Sequence, residues 1–261
     1  MERLVQLGAD IAKLWEQYGD DYLNGIQNTL ILALVATLLG CIIGFVCGIL
    51  NTIPCAKTDP PVKRFFIKLI RVIVRIYVEV FRGTPMMLQA VFIYYGLPYF
   101  TGNAVQWPSV WMAAILVVSI NTGAYMAESV RGGIISIDPG QTEGAKAIGM
   151  THVQTMTSVI LPQALRLSIP GWANEFSILL KDSAVCYLLG TMEIMARVNA
   201  VAQRTHEHLA FFALAGVIYF VLTLIVLKLL RRLENKVQIP GYSAGTVGSM
   251  AKNTQHGVKN A

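Results

Sequence analysis

The sequence predicts an all-α membrane protein that crosses the bilayer five times, with a broken second span and a helical loop on its cytoplasmic side. The first observation is composition, since 54% of the 261 residues are hydrophobic and only 14% are charged. About a quarter of the residues of a soluble globular protein carry a charge. The second is a series of apolar runs of about 20 residues, the length that a bilayer requires. The third is the distribution of lysine and arginine between these runs.

Three of the predicted spans are plain apolar runs, at residues 29–50, 109–130 and 209–230. Two more, at about 68–98 and 176–198, are interrupted by charged side chains. These spans and their connections form a predicted transmembrane domain over residues 29–234. Residues 1–28 predict either an amphipathic helix at the outer surface of the membrane or a solvated arm. Residues 235–261 contain too little apolar surface to fold and predict a disordered cytoplasmic tail.

Lysine and arginine accumulate in cytoplasmic loops, which orients the chain. Residues 51–80 contain six of them, residues 131–181 four and residues 228–261 six, whereas residues 1–28 contain only two. Five crossings therefore place the N-terminus outside and the C-terminus in the cytoplasm. The same distribution accounts for the net charge of +6, so the basicity does not indicate a nucleic-acid partner. No metal site is predicted, because the cysteines lack ligand spacing and His206 and His208 would not share a helix face.

The second span carries charged side chains at steps of three or four residues, on one face of a helix: Lys68, Arg71, Arg75, Glu79 and Arg82. A charge facing lipid at mid-bilayer costs at least about 2.5 to 3.5 kcal/mol, so this face should turn toward protein or water. Gly83 and Pro85 in "RGTP" then break the helix. Two interpretations stay open: a structural kink in which Arg82 pairs with Glu79, or a kink that also lines a transport pathway.

The fourth span begins with a polar face formed by two adjoining rows of side chains, Asn174, Ser177 and Lys181 beside Glu175, Ile178 and Asp182. One cation beside two carboxylates suits a zwitterion, with Lys181 for an α-carboxylate and Glu175 or Asp182 for an α-ammonium. Alternatively, Lys181 pairs with one carboxylate and fixes the ends of the helix. In the third span, Asn121 and Glu128 share a face, either as interhelical hydrogen-bond partners or as pathway residues.

The cytoplasmic segment 131–171 predicts two short helices. Asp138 is an N-cap before Pro139, and Gly149 ends the first helix. Thr151 caps the second helix, which Pro162 is expected to interrupt. Both helices are too small to form a core of their own. Their apolar side chains therefore predict docking in the groove of a partner.

Three motifs of the sequence resemble those of the permeases of ABC importers. Glu143-Gly144-Ala145, Gly149 and the run from Val159 to Pro162 match the EAA loop, although the family usually has Ala at Gly144 and Ile at Val159. "EVFRGTPMMLQAVFIYYGLP" and "SINTGAYMAESVRGGI" are similar to signatures of the polar amino acid subfamily. The resemblance implies a permease subunit in the cytoplasmic membrane of a prokaryote that catalyses no reaction itself.

The resemblance also implies the partners and the residues of each site. Expected partners are a second permease subunit, two cytoplasmic ATPase subunits that hold ATP and magnesium, and an extracytoplasmic substrate-binding protein. The residues expected to couple to the ATPase are Glu143, Gly144, Ala145, Ile148, Gly149, Leu161 and Pro162. Those expected to bind an amino acid are Asn174, Glu175, Lys181 and Asp182, with Thr84 and Gln89 at the helix break. Those expected along the pathway are Glu79, Arg82, Gly83, Pro85, Asn121 and Glu128.

Two other classes of membrane protein explain fewer features of this sequence. An ion-coupled secondary transporter or channel would use Glu79, Glu128 and Asp182 as a relay, and a scaffold would transport nothing. Neither has an evident need for the helical cytoplasmic segment. No nucleotide-binding loop of the form G-x-x-x-x-G-K-[ST] occurs in the chain. An ATP-driven mechanism would therefore need a separate ATPase.

Overall fold

The structure is a computed structural model that describes residues 2–55, 59–205 and 208–237. The predicted tail beyond residue 237 and His206 lie outside these ranges. All regular structure within them is helical: α1 Glu2–Thr52, α2 Pro61–Gly83, α3 Met86–Phe100, α4 Val110–Ile135, α5 Pro139–Ala147, α6 His152–Leu189, α7 Ile194–Thr205 and α8 His208–Val237. A π turn, Phe92–Gly96, lies within α3. A second π turn, Met156–Ile160, lies within α6, which ends in a 3-10 turn, Ser183–Leu189.

Three segments of these helices are long and apolar enough to cross a bilayer: Ile11–Thr52, Val110–Ile135 and His208–Leu233. Helices α6 and α7 meet at a bend of 53° and would together make a fourth crossing. Helix α2 carries a row of charges, and the apolar helix α3 is too short to span alone. The all-helical membrane fold is therefore confirmed, while the total of five crossings stays a prediction.

Helix α1 is continuous through residue 28, where the sequence suggested a boundary between an arm and the first span. Its 51 residues make a helix about 75 Å long, well beyond the hydrocarbon thickness of about 30 Å. Leu14 and Tyr22 of its first half are buried against Val198 of α7 and Phe211 of α8. Within the described part of residues 1–28, this apolar face packs inside the chain, and the position of the segment at the outer surface of the membrane stays a prediction.

Helices α1 and α4 approach closely along a row of glycines, Gly40, Gly44 and Gly48. A Cβ atom at Gly44 would lie 2.8 Å from the backbone nitrogen of Ala127, and one at Gly48 would lie 2.7 Å from Cβ of Val130. Small residues allow helix backbones in membranes to come close together. Because lipid is as apolar as the side chains, the hydrophobic effect does not hold such helices together, and van der Waals packing stabilises the contact instead. This contact places α4 at the centre of the chain, where half of its residues are buried.

Replacing Gly44 by valine is expected to destabilise the protein, because the new side chain would force α1 away from α4. Overpacking of this kind costs about 1 to 3 kcal/mol, which should lower the melting temperature of the purified protein by several degrees. Gly216→Val is the matched control, since a Cβ there meets nothing within 4 Å. Equal melting temperatures for the two variants would contradict the close approach.

The predicted fourth span, 176–198, contains the bend between α6 and α7. Gly190 ends the 3-10 turn with a positive φ of 95°, a conformation that glycine adopts at little cost. The carboxylate of Glu193, which is fully buried, accepts hydrogen bonds from the backbone of Met195 (2.9 Å) and Ala196 (2.7 Å) and from the hydroxyl of Tyr219 (2.9 Å). Glu193 thereby caps α7 and joins it to α8.

The local signals in the cytoplasmic segment are largely confirmed. Asp138 Oδ1 accepts from the backbone of Gly140 at 2.7 Å, Gly149 has a φ of 83°, and Thr151 forms a capping box with Gln154. The expected interruption at Pro162 is wrong. The π turn just before Pro162 widens the helix, which accommodates the missing N–H, and α6 continues to the bend.

Candidate functional site

A cavity of about 460 Å³ lies where α2 breaks and α4 and α6 pass beside the break. We call it the central cavity. It brings the predicted pathway residues Arg82, Gly83 and Pro85 together with the two carboxylates of α6, Glu175 and Asp182. Its lining consists of Arg82, Gly83, Thr84, Pro85, Met86, Asn121, Tyr125, Glu175, Ile178, Leu179 and Asp182.

The predicted break after α2 is confirmed, since the backbone is extended at Thr84 and Pro85 before α3 begins. Such a break frees carbonyl groups, which inside a membrane need other partners. The side-chain amide of Gln89 donates to the carbonyls of Phe81 and Thr84, both at 2.9 Å. Asn121 donates to Gln89 Oε1 at 2.8 Å and also to Phe81. Gln89 is buried behind the break, and therefore holds its shape rather than lining the cavity.

Replacing Gln89 by leucine is expected to destabilise the protein by about 1 to 3 kcal/mol. The carbonyl of Thr84 would lose its side-chain amide donor, and the carbonyl of Phe81 would keep only the one from Asn121. Asn121 would also lose its acceptor, Gln89 Oε1. Thermal unfolding of the purified protein measures this loss of stability. Gln163→Leu is the matched control, since Gln163 donates only to Val159 within its own helix. If the two variants lost the same stability, the break would not depend on Gln89.

The charges of the central cavity are Arg82, Glu175 and Asp182. Both Arg82 and Asp182 lie close enough to Glu175 to interact with it electrostatically. Lys181, expected to face a substrate carboxylate, is exposed and outside the lining, as is Asn174. The cation that shares the cavity with the two carboxylates is therefore Arg82 of α2. Helical spacing placed Lys181 beside Asp182 correctly, but it could not show that another helix supplies the facing cation.

A second cavity, of about 660 Å³, lies next to the first, toward the end of α4 that leads to α5. Glu79 and Glu128 line it together with Arg75, Arg82 and Arg131. The suggested pair between Arg82 and Glu79 is not formed. Instead, Arg82 Nη1 lies 4.0 Å from Glu128 Oε2, and Arg131 holds Glu128 through two contacts, one of them a hydrogen bond of 2.9 Å from Nε.

The turn after α5 presents an apolar surface to the outside of the chain. Ile148 is 79% exposed and Val153 is 68% exposed, and Glu143, Gly144 and Gly149 beside them are also exposed. Pro162 is exposed and Leu161 is half-buried. Ala145 differs, because it is buried inside the chain where α5 contacts the start of α6. Ala145 therefore fixes α5 from within and cannot itself enter a partner's groove. We call Ile148, Val153 and their exposed neighbours the docking surface.

Comparison with known proteins identifies the family. The model for "binding-protein-dependent transport system inner membrane component" matches residues 55–239. The chain belongs to this family. The permease is 34% identical to the arginine transport system permease protein ArtQ of Bacillus subtilis, with 83% of this chain and 92% of that protein covered. It is 32% identical to the octopine transport system permease protein OccM of Rhizobium radiobacter, with 86% and 89% covered.

Solved structures agree with this assignment. The permease matches a chain from the crystal structure of an amino acid ABC transporter with a TM-score of 0.73 and 32% identity, covering 84% of this chain and 95% of that chain. A chain of the MetNI methionine ABC transporter matches with a TM-score of 0.69 at 21% identity, which shows a shared fold. The resemblance inferred from the EAA loop is thus confirmed, and the protein is a transport permease of the ABC importer type.

Proposed function

We propose that this permease forms the membrane pathway of an ATP-driven importer for a polar amino acid. The observation that carries the proposal is the central cavity, in which one guanidinium and two carboxylates surround a space at a helix break. An amino acid offers complementary charges, a carboxylate for Arg82 and an ammonium group for Glu175 or Asp182. Relatives named for arginine and octopine transport and a neighbour from an amino acid transporter support the same substrate class.

The assembly follows the arrangement expected from the sequence. A second permease subunit, identical or related, completes the pathway, and two ATPase subunits bind ATP and magnesium. An extracytoplasmic binding protein delivers the substrate. The docking surface around Ile148 faces the cytoplasm and sits in a groove of the ATPase, which leaves the N-terminus outside and the C-terminus inside. Closure of the ATPase then moves α5 and α6 as a unit, and alternating access follows from this rigid-body movement.

The coupling path is short in this fold. Helix α6 begins at the docking surface and carries Glu175 and Asp182 to the central cavity without a break in its helical backbone. It packs on α4 so closely that Ser168 donates to the carbonyl of Ser129 at 3.2 Å, and a Cβ at Gly133 would lie 2.7 Å from the carbonyl oxygen of Ala164. A push on the docking surface would therefore move one wall of the cavity directly.

Uptake into proteoliposomes tests the proposal. The permease is reconstituted with its ATPase and binding protein, and the binding protein is first screened against the common amino acids by thermal shift to select substrates. The expected result is uptake that requires both ATP and the binding protein. Uptake by this chain alone under an ion gradient would contradict the proposal and favour an ion-coupled carrier.

A further inference from the structure

The central cavity and the second cavity meet at one side chain. Among the residues that line either space, Arg82 alone lines both. Its guanidinium lies 5.4 Å from the centre of the Tyr125 ring, a residue of the central cavity. On the other side, it lies 4.0 Å from Glu128, a residue of the second cavity. Arg82 thus stands where the central cavity meets the second cavity, which lies at the end of α4 that precedes α5.

The contacts of Arg82 in this position are weak. The distance of 4.0 Å to Glu128 is too long for a hydrogen bond, and the arginine side chain is 40% exposed. Within the part of the chain that the structure describes, its guanidinium donates no hydrogen bond. Glu128, by contrast, is held firmly, because both of its carboxylate oxygens contact Arg131. Arg82 can therefore leave while Glu128 stays in place.

We propose that Arg82 closes the passage between the two cavities while it rests on Glu128, and that a substrate carboxylate opens the passage by taking Arg82 from Glu128. The proposal rests on the amino acid substrate proposed above. An arginine fork binds a free carboxylate through two parallel hydrogen bonds, whereas Glu128 offers it only a long contact, its oxygens being occupied by Arg131. The exchange draws the guanidinium into the central cavity.

This exchange would let the permease distinguish an occupied cavity from an empty one. In the empty cavity, Arg82 has Glu128 and the Tyr125 ring as its partners, and the passage stays closed. A substrate that lacks a carboxylate could still bind Glu175 and Asp182 through its ammonium group. It would leave Arg82 on Glu128, and the passage would remain closed. Only a substrate that carries a carboxylate would therefore open the passage.

Thiol labelling measures the closure directly. Ile178 lines the central cavity, so Ile178→Cys is labelled in the assembled transporter with a small charged thiol reagent from the side that bears the docking surface. Val62→Cys, which is 65% exposed at the start of α2 and lies outside the docking surface, verifies that this side faces the reagent. The parent protein gives the background of the native cysteines. When Glu128→Gln is combined with Ile178→Cys, the labelling rate without ligand should increase about two- to fivefold. This factor corresponds to the free energy that a partly exposed ion pair contributes.

Glu79→Gln is the matched control for Glu128→Gln. Glu79 lines the same second cavity and its loss changes the charge equally, but it forms no ion pair with Arg82 within the described residues. Its labelling rate measures what the loss of one charge alone does to a charged reagent, and the rate with Glu128→Gln should exceed it. Equal rates for the two glutamine variants, or no increase with Glu128→Gln, would overturn the closure.

L-arginine and L-argininamide test the exchange. Both carry cations for Glu175 and Asp182, but only L-arginine has a carboxylate. A substrate bound in the central cavity covers Ile178, which lines that cavity, even after it has opened the passage. L-arginine should therefore still protect Ile178→Cys, and at about tenfold lower concentration than the amide, as expected for a hydrogen bond between charged groups. Glu128→Gln should strengthen protection by L-arginine only, and Arg82→Gln should remove the difference between the probes. Arg82→Lys keeps the positive charge but lacks the two parallel donors of the guanidinium. It should retain part of the difference between the two probes.

Equal protection by the two probes before any change at Arg82 would overturn the exchange. Size-exclusion profiles show whether each variant assembles. If Arg82→Gln does not assemble, a reduced difference between the two probes with Arg82→Lys decides whether Arg82 recognises the carboxylate. Failure of the proposed function is a separate outcome, since it appears as missing ATP-driven uptake. The ligand-free labelling of Glu128→Gln against Glu79→Gln needs no transport and tests the closure on its own.

Discussion

Replacing Ile148 by aspartate is expected to stop uptake by the assembled transporter while the permease remains folded. Ile148 is 79% exposed at the end of α5, and its side chain is available for a partner. Its backbone N–H bonds to the carbonyl of Gly144 within the helix cap, a bond that the substitution leaves intact. Aspartate would remove an apolar contact and place a charge in the groove of the ATPase.

Interface residues of this kind contribute 2 kcal/mol or more when they are central to a contact. We therefore expect binding of the ATPase to weaken at least roughly thirtyfold, with a matching loss of uptake in proteoliposomes. Co-purification of the ATPase with the tagged permease measures the binding. Ile148→Val is the matched control, because it keeps an apolar side chain, and it should retain most of the activity. Normal uptake by Ile148→Asp would exclude this surface from coupling.

Neutralising either carboxylate of the central cavity is expected to reduce uptake by about tenfold or more, as for the loss of a hydrogen bond between charged groups. Glu175→Gln and Asp182→Asn keep the size of each side chain and remove its charge. Both residues line the cavity with Arg82, so each variant should weaken the hold on the substrate's ammonium group. The loss should appear chiefly as a raised KM, since the docking surface is unchanged.

Lys181→Gln provides the matched control for these two variants. Lys181 lies next to Asp182 in the sequence but is exposed outside the cavity lining, so uptake should change less than about twofold, as for an exposed charge. A large loss of uptake with Lys181→Gln, together with no loss with Asp182→Asn, would contradict the assignment of Arg82 and Asp182 to the substrate site. It would restore the arrangement that helical spacing alone suggested, with Lys181 facing the substrate carboxylate.

The sequence predicts the features of this permease that depend on neighbouring residues. The cap at Asp138 and the break before Pro85 depend on backbone geometry within a few residues, and both occur where expected. The polar row of α6 was also identified, because a helix repeats its faces at fixed steps. Glu175 and Asp182 of that row do line one cavity.

Features that depend on distant residues could not be predicted in the same way. The partner of Arg82 is Glu128, which is 46 positions away on another helix, whereas spacing suggested its neighbour Glu79. The role of Glu193 depends on Tyr219 and on the start of α7, which meet only in the folded chain. Ala145 belongs to the expected docking motif, yet its burial becomes evident only once α5 is packed on α6. Tertiary packing decides each of these cases.

Photo-crosslinking from Ile148 is the most direct test of the central claim, that an ATPase drives this permease through the docking surface. A crosslinking amino acid replaces Ile148 in native membranes, and the same substitution at Tyr99, which is 80% exposed at the end of α3, serves as the control. We predict that Ile148 captures a nucleotide-hydrolysing subunit and that Tyr99 does not. Absence of any such subunit from the Ile148 product would contradict the claim.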